Sequence, residues 1–123
     1  MKQKIIKPKV VIALGGNALL SGKQEPSAEA QLEVVKKTCE HIAQISESGY
    51  EIAVVHGNGP QVGRIMLASE FAQEVTPMMP FDVCGAMSQG YIGYHIQQCL
   101  KYALNKTNRH IPVVTVATQV IVE

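Results

Sequence analysis

Glycine and asparagine occur together at two places in this chain, each time directly after an apolar run rich in β-branched residues. Val10-Val11-Ile12-Ala13-Leu14 leads into Gly15, Gly16 and Asn17, and Ile52-Ala53-Val54-Val55-His56 leads into Gly57, Asn58 and Gly59, with Pro60 next. Missing Cβ atoms let backbone N–H groups come close to an anion, and the carboxyl ends of parallel strands are where ligands of open α/β sheets collect. The two turns therefore predict one oxyanion or phosphate pocket, with Asn17 and Asn58 adding orientable amides.

Competing motifs fail on particular residues. Gly57-Asn58-Gly59-Pro60-Gln61-Val62-Gly63 follows a strand and opens a helix, as a dinucleotide-binding fingerprint does. Its third glycine comes one residue late, however, and a proline stands where an N–H should face the pyrophosphate. A nicotinamide-dependent enzyme is therefore disfavoured. No Gly-Lys-Ser/Thr follows either turn, which excludes a Walker A loop. His56 lacks a Ser, Cys or carboxylate at readable spacing to make it a catalytic base, so it reads as a strand-end histidine bonded to backbone. His41, His95 and His110 carry no pattern. Asp82 reads as a helix N-cap in preference to a metal ligand. No metal ligand and no catalytic side chain is assigned.

The elements that must hold the turns can be traced along the chain. A strand at about Lys9 to Leu14 is continuously apolar, as expected of a central strand covered on both faces. A polar loop, Ser21 to Ser27, precedes an amphipathic helix from about Ala28 to Ser48. Ser27 is its N-cap, Gly49 its stop, and Leu32, Val35, Cys39, Ile42 and Ile45 its apolar stripe. A second, parallel strand covers Glu51 to His56. Pro60 then opens a helix over Gln61 to about Glu74, whose inner face is Val62, Ile65, Met66, Ser69 and Ala72.

After the break Val75 to Pro80, a third long helix runs from Asp82 to about Leu104. Gly85, Gly90 and Gly93 lie inside it, and each costs about 1 kcal/mol relative to alanine, so close approach by another backbone, a partner copy or a ligand is expected. Pro112 to Val122 reads as a long third strand. The order β-α-β-α-α-β predicts an α/β fold with a parallel sheet and helices on its faces.

Composition narrows the partners. The chain has 123 residues, 46% hydrophobic and 17% charged, with a formal net charge of +1, which gives no field to gather nucleic acid or an anionic membrane. Lys2, Lys4, Lys7 and Lys9 make the start basic, but no long apolar segment follows, so this reads as a solvated lead-in to a strand. Cys39, Cys84 and Cys99 are odd in number and widely spaced, which predicts buried, reduced thiols of a cytosolic protein rather than disulfides or zinc ligands.

Four motifs, in order and spanning nearly the whole chain, carry a resemblance. They are Val11 to Leu19, Val55 to Gly63, Pro80 to Tyr94, and Thr115 to Val122. Together they resemble the carbamate kinases of the amino-acid kinase family. The resemblance implies a three-layer α/β/α sandwich with a mainly parallel sheet. It implies reversible phosphoryl transfer between ATP and carbamate, giving ADP and carbamoyl phosphate, with Mg²⁺, in a cytoplasmic homodimer of arginine metabolism. Carried over by residue, Gly15, Gly16 and Asn17 would cradle the transferring phosphoryl group, and Gly57, Asn58 and Gly59 would hold the carbamate.

Ala13 stands where many of the wider family have lysine. The substitute lysine, and the residues that bind nucleotide and Mg²⁺, would lie beyond Glu123. Residues 1–123 thus resemble the amino-terminal part of such a domain, with the nucleotide-binding half absent and no substantial turnover expected of the chain alone. The alternative is a non-catalytic dimerising module or pseudoenzyme remnant of the same fold, with the glycine-rich helix as its seam.

Overall fold

The computed structural model describes residues 6–19 and 27–122. Lys2, Lys4, most of the polar loop before Ser27, the side chain of Asn17 and Glu123 lie outside the described residues. The element order is β1 (Lys9–Leu14), α1 (Gly16–Leu19), α2 (Ala28–Glu47), β2 (Glu51–His56), α3 (Gly59–Phe71) and α4 (Phe81–Lys106).

β1 and β2 pair in parallel, in a register that runs from Lys9 opposite Glu51 to Leu14 opposite His56. Parallel pairing needs a crossover, and α2 supplies it. Ser27 accepts the Ala30 N–H at 3.1 Å and so caps the first turn of α2. Gly49, at φ 94°, ends it in a conformation that a side chain would strain.

α2 and α4 pack together beneath the sheet. Val35, Cys39, Ile42 and Ala43 from α2 meet Ile92, Ile96, Cys99, Leu100, Ala103 and Leu104 from α4, with Ile12, Leu14, Ile52 and Val54 closing the cluster from the strands. The buried stripe of α2 is rotated slightly from the expected one. Gln31 and Ser46 lie inside it, whereas Ile45 is half-exposed.

Three expectations need correction. Pro112 to Val122 forms no ladder, because β propensity alone does not make a strand, which requires a neighbour to bond. Side chains of α4 hold this segment instead: Gln89 receives the Thr118 N–H at 2.7 Å and donates to its carbonyl at 3.1 Å. Second, the strands are covered on one face only among the described residues, since Val11 is 67% exposed and Val55 48%. Third, Asp82 is not the N-cap of α4. Pro80 holds that position and Asp82 lies in the first turn, where its charge complements the helix dipole.

The three glycines of α4 also separate. A methyl group on Gly93 would collide with Thr115 Cγ2, while at Gly85 and Gly90 it would meet nothing within 4 Å. The expected close approach is thus real at Gly93, and the approaching group is the chain's own terminal segment.

Candidate functional site

Since Leu14 and His56 are partners in the ladder, the residues that follow them emerge side by side at one rim of the sheet. Strand spacing sets the two strand ends, at Leu14 and His56, about 5 Å apart. The structure therefore starts both turns at neighbouring strand ends, with Gly15 and Gly57 first, Gly16 and Asn17 entering α1, and Asn58 and Gly59 opening α3.

The first turn closes on itself through the Ala18 N–H, which donates to the Gly15 carbonyl at 3.0 Å. Thr38 of α2 then holds it from below by donating its hydroxyl to the Ala18 carbonyl, also at 3.0 Å. Gly16 already belongs to the short helix α1.

The second turn is the N-terminus of α3. Asn58 occupies the N-cap position but makes no capping bond with its side chain, and Pro60 needs no partner for a missing N–H. The Asn58 amide is engaged elsewhere: Nδ2 donates to Ser88 Oγ at 2.7 Å, and Ser88 donates to the Gly85 carbonyl at 2.6 Å. The first-turn N–H groups of α3 are left without a side-chain cap, with the positive end of the helix dipole behind them. His56 Nδ1 donates to the Gly57 carbonyl at 3.0 Å, so His56 is the backbone-bonded strand-end histidine that its position predicts.

The glycines of these turns have an informative property. Gly15, Gly16, Gly57 and Gly59 are absent from the positive-φ residues, where Gly49 alone represents glycine among the described residues. A Cβ on any of the four would meet nothing within 4 Å. Neither backbone conformation nor internal packing requires glycine at these positions, and the space before them is open to a guest.

Charge is sparse at this rim. Among the described residues no group of three or more His, Cys, Asp or Glu side chains could hold a metal ion. A cleft of about 580 Å³ lies away from the turn glycines, between β2 and residues 111–118, over α4. Its walls mix apolar Ile52, Val54, Ile96, Leu100 and Val113 with the polar or cationic Lys7, His56 and Arg109.

Sequence reasoning missed the residues behind the second turn. Gln61 Nε2 donates to Gln31 Oε1 at 3.1 Å, and Gln31 Nε2 lies 3.4 Å from His95 Nδ1. That nitrogen accepts, so the neutral ring carries its proton on Nε2. Burial holds His95 below the ordinary histidine range, against the pull of Glu29. Tyr91 meets the same ring edge-on, with centroids 4.9 Å apart. The available signal was Gln31 in line with Val35, Cys39 and Ile42 on the inward side of a helix.

The profile of the amino acid kinase family matches residues 8–118. The chain belongs to the amino acid kinase family. Among curated members it is 48% identical over 118 residues to a carbamate kinase of Clostridium perfringens, covering 94% of this chain and 38% of that protein. To a carbamate kinase of Pyrococcus furiosus it is 50% identical over 117 residues, with 94% and 37% covered. The chain thus spans little more than a third of the length of these relatives.

The carbamate kinase of Giardia lamblia bound to AMP-PNP superposes with a TM-score of 0.81 at 43% identity, over 84% of this chain and 36% of that one. The same enzyme bound to citric acid gives 0.82 at 42% identity, over 87% and 34%. The α/β amino acid kinase fold follows from these likenesses together with the helices and parallel strands described above. No helix among the described residues is long and apolar enough to cross a membrane.

Proposed function

We propose that residues 1–123 are the amino-terminal part of a carbamate kinase, carrying the phosphoryl-binding and acceptor-binding turns while the nucleotide-binding half lies outside them. One observation carries this reading: two glycine turns level on adjacent parallel strands, at positions where neither φ nor packing calls for glycine. The carbamate kinase relatives support the kinase part of this reading.

In the proposed reaction an oxygen of carbamate attacks the γ-phosphorus of ATP, the bond to the β–γ bridging oxygen breaks, and ADP leaves with the electron pair. The reverse reaction forms ATP from carbamoyl phosphate and ADP. Such transfers depend on positioning and on neutralising charge over the equatorial oxygens, tasks suited to fixed main-chain N–H groups. Gly15, Gly16 and Asn17 would cradle the phosphoryl group, and Gly57, Asn58 and Gly59 the carbamate. Among the described residues no group of three or more His, Cys, Asp or Glu side chains could hold Mg²⁺. The same reading makes the whole protein a cytoplasmic, homodimeric enzyme of arginine metabolism, using ATP/ADP and binding neither nucleic acid nor membrane.

The test titrates carbamoyl phosphate into the chain and into its Gly16→Ala and Gly57→Ala variants. Both should keep the melting temperature, since the added methyl meets no protein atom. Both should lose affinity by about tenfold or more, the equivalent of about 1.4 kcal/mol of obstructed contact. No binding by the wild-type chain, or unchanged binding by both variants, would reject the cradle. ATP formation from carbamoyl phosphate and ADP by this chain alone should be negligible, because the residues expected to offset phosphate charge are outside it.

A second reading, a dimerising module without catalysis, draws on α4, where Met87 and Tyr94 are exposed and Gly90 faces open space. Sedimentation would support it by showing a stable dimer that binds no anion.

A further inference from the structure

Behind the second turn lies a polar cluster that the hydrophobic core has no use for. Gln31, Gln61, Ser88 and His95 are four of the five buried polar or charged residues among those described, Ser46 being the fifth. They come from three helices. Gln61 stands in the first turn of α3 and bonds across to Gln31 of α2, which in turn reaches His95 of α4. Ser88 lies two helical turns before His95 on the same face of α4 and takes the Asn58 amide.

Burying four polar side chains costs stability, and the cluster does not recover all of it. Gln61 Oε1 is fully buried without a hydrogen-bond partner among the described residues. Apolar residues of similar volume would stabilise this site more. What these bonds accomplish is to fix the height and rotation of the Gly57-Asn58-Gly59 turn at two points, one on Asn58 and one three residues later on Gln61. An amide that would otherwise cap α3 is drawn away, which leaves the N–H groups of the turn available.

We propose that Gln31, Gln61, Ser88 and His95 are positioning residues, whose task is to hold the Asn58 turn in its ligand-receiving geometry. The inference rests on the acceptor role given above to that turn. Ser88 sets the plane of the Asn58 amide, and the Gln61–Gln31–His95 chain pins the start of α3 against α2 and α4.

The experiment measures carbamoyl phosphate affinity and the Asn58 side-chain NH₂ resonances of the 123-residue chain by NMR, for wild type, Ser88→Ala, His95→Leu and His95→Asn. Leucine fills the histidine volume but accepts nothing, whereas asparagine returns an acceptor near the Nδ1 position. Ser88→Ala should shift the Asn58 NH₂ resonances before any ligand is added and weaken binding about tenfold, the scale of a hydrogen bond lost to a positioned group. His95→Leu should weaken it similarly, and His95→Asn should restore it to within about threefold.

Unchanged affinity in both Ser88→Ala and His95→Leu overturns the proposal and leaves the cradle standing. So does equal loss in His95→Asn and His95→Leu, which would mark a purely structural role. Absence of binding by wild type removes the cradle and this inference with it. If His95→Leu does not fold, the near-isosteric Ser88→Ala decides alone.

Discussion

The Thr115 hydroxyl donates to the Gly93 carbonyl at 3.0 Å, and the Thr115 methyl lies where a Cβ on Gly93 would stand. This contact, with the Gln89–Thr118 bonds, ties residues 112–122 to α4. Alanine at 93 would gain about 1 kcal/mol of helix propensity, but it would also force Thr115 aside, and overpacking of this kind costs about 1–3 kcal/mol. Gly93→Ala should therefore lower the denaturant midpoint. Thr115→Ala in the same chain should restore part of the loss, because the colliding Cγ2 is gone, and a double-mutant cycle would measure the coupling.

Gln89 gives Thr118 what a neighbouring strand would give, one donor and one acceptor. Gln89→Leu should free the Thr118 amide, and its hydrogen exchange should accelerate while exchange within α4 stays slow. Two partly exposed hydrogen bonds are worth about 1–2 kcal/mol together, so the global midpoint should move little compared with local protection.

Acidification should weaken the fold through His95. Burial lowers its pKa below the ordinary 6.5, with Glu29 opposing. A base whose folded pKa is depressed contributes its full stability above the unfolded value and loses it as pH falls from there through the folded value. Denaturant midpoints should thus decline as pH drops below about 6.5. His95→Asn should remove that part of the slope.

Burial pushes the Cys39 thiol up to about 12, and it also raises Cys99. Thiolates are the reactive form, so at about pH 8 both should resist a disulfide reagent in the native chain and react once it is unfolded. Rapid native labelling of Cys39 would contradict its place in the core.

Much of the site was legible in the sequence because its parts are local. Ser27, Gly49 and Pro60 each act within a few residues of themselves and do what their chemistry predicts, and the two glycine turns follow the strands at the positions expected of them. The failures share the opposite character. Pro112 to Val122 has strand-forming residues, but pairing depends on a neighbour far along the chain. Asp82 is a good cap by type, yet Pro80 starts the helix two residues earlier. Val10 to Leu14 is apolar throughout, which suits coverage on both faces, but helices cover only one among the described residues. Gln31 and His95 are polar by type, so although Gln31 lines up with the apolar stripe of α2, their burial together follows only from packing α2 against α4.

The six rungs between Lys9–Glu51 and Leu14–His56 have a further effect. Sliding one strand by a single rung would carry its corner about 3.3 Å along the axis and turn Ile12 and Leu14, or Ile52 and Val54, away from the helices. Misalignment of the two corners is therefore penalised by apolar side chains one to five residues behind them along the strands, so the register of the strands keeps the rim level.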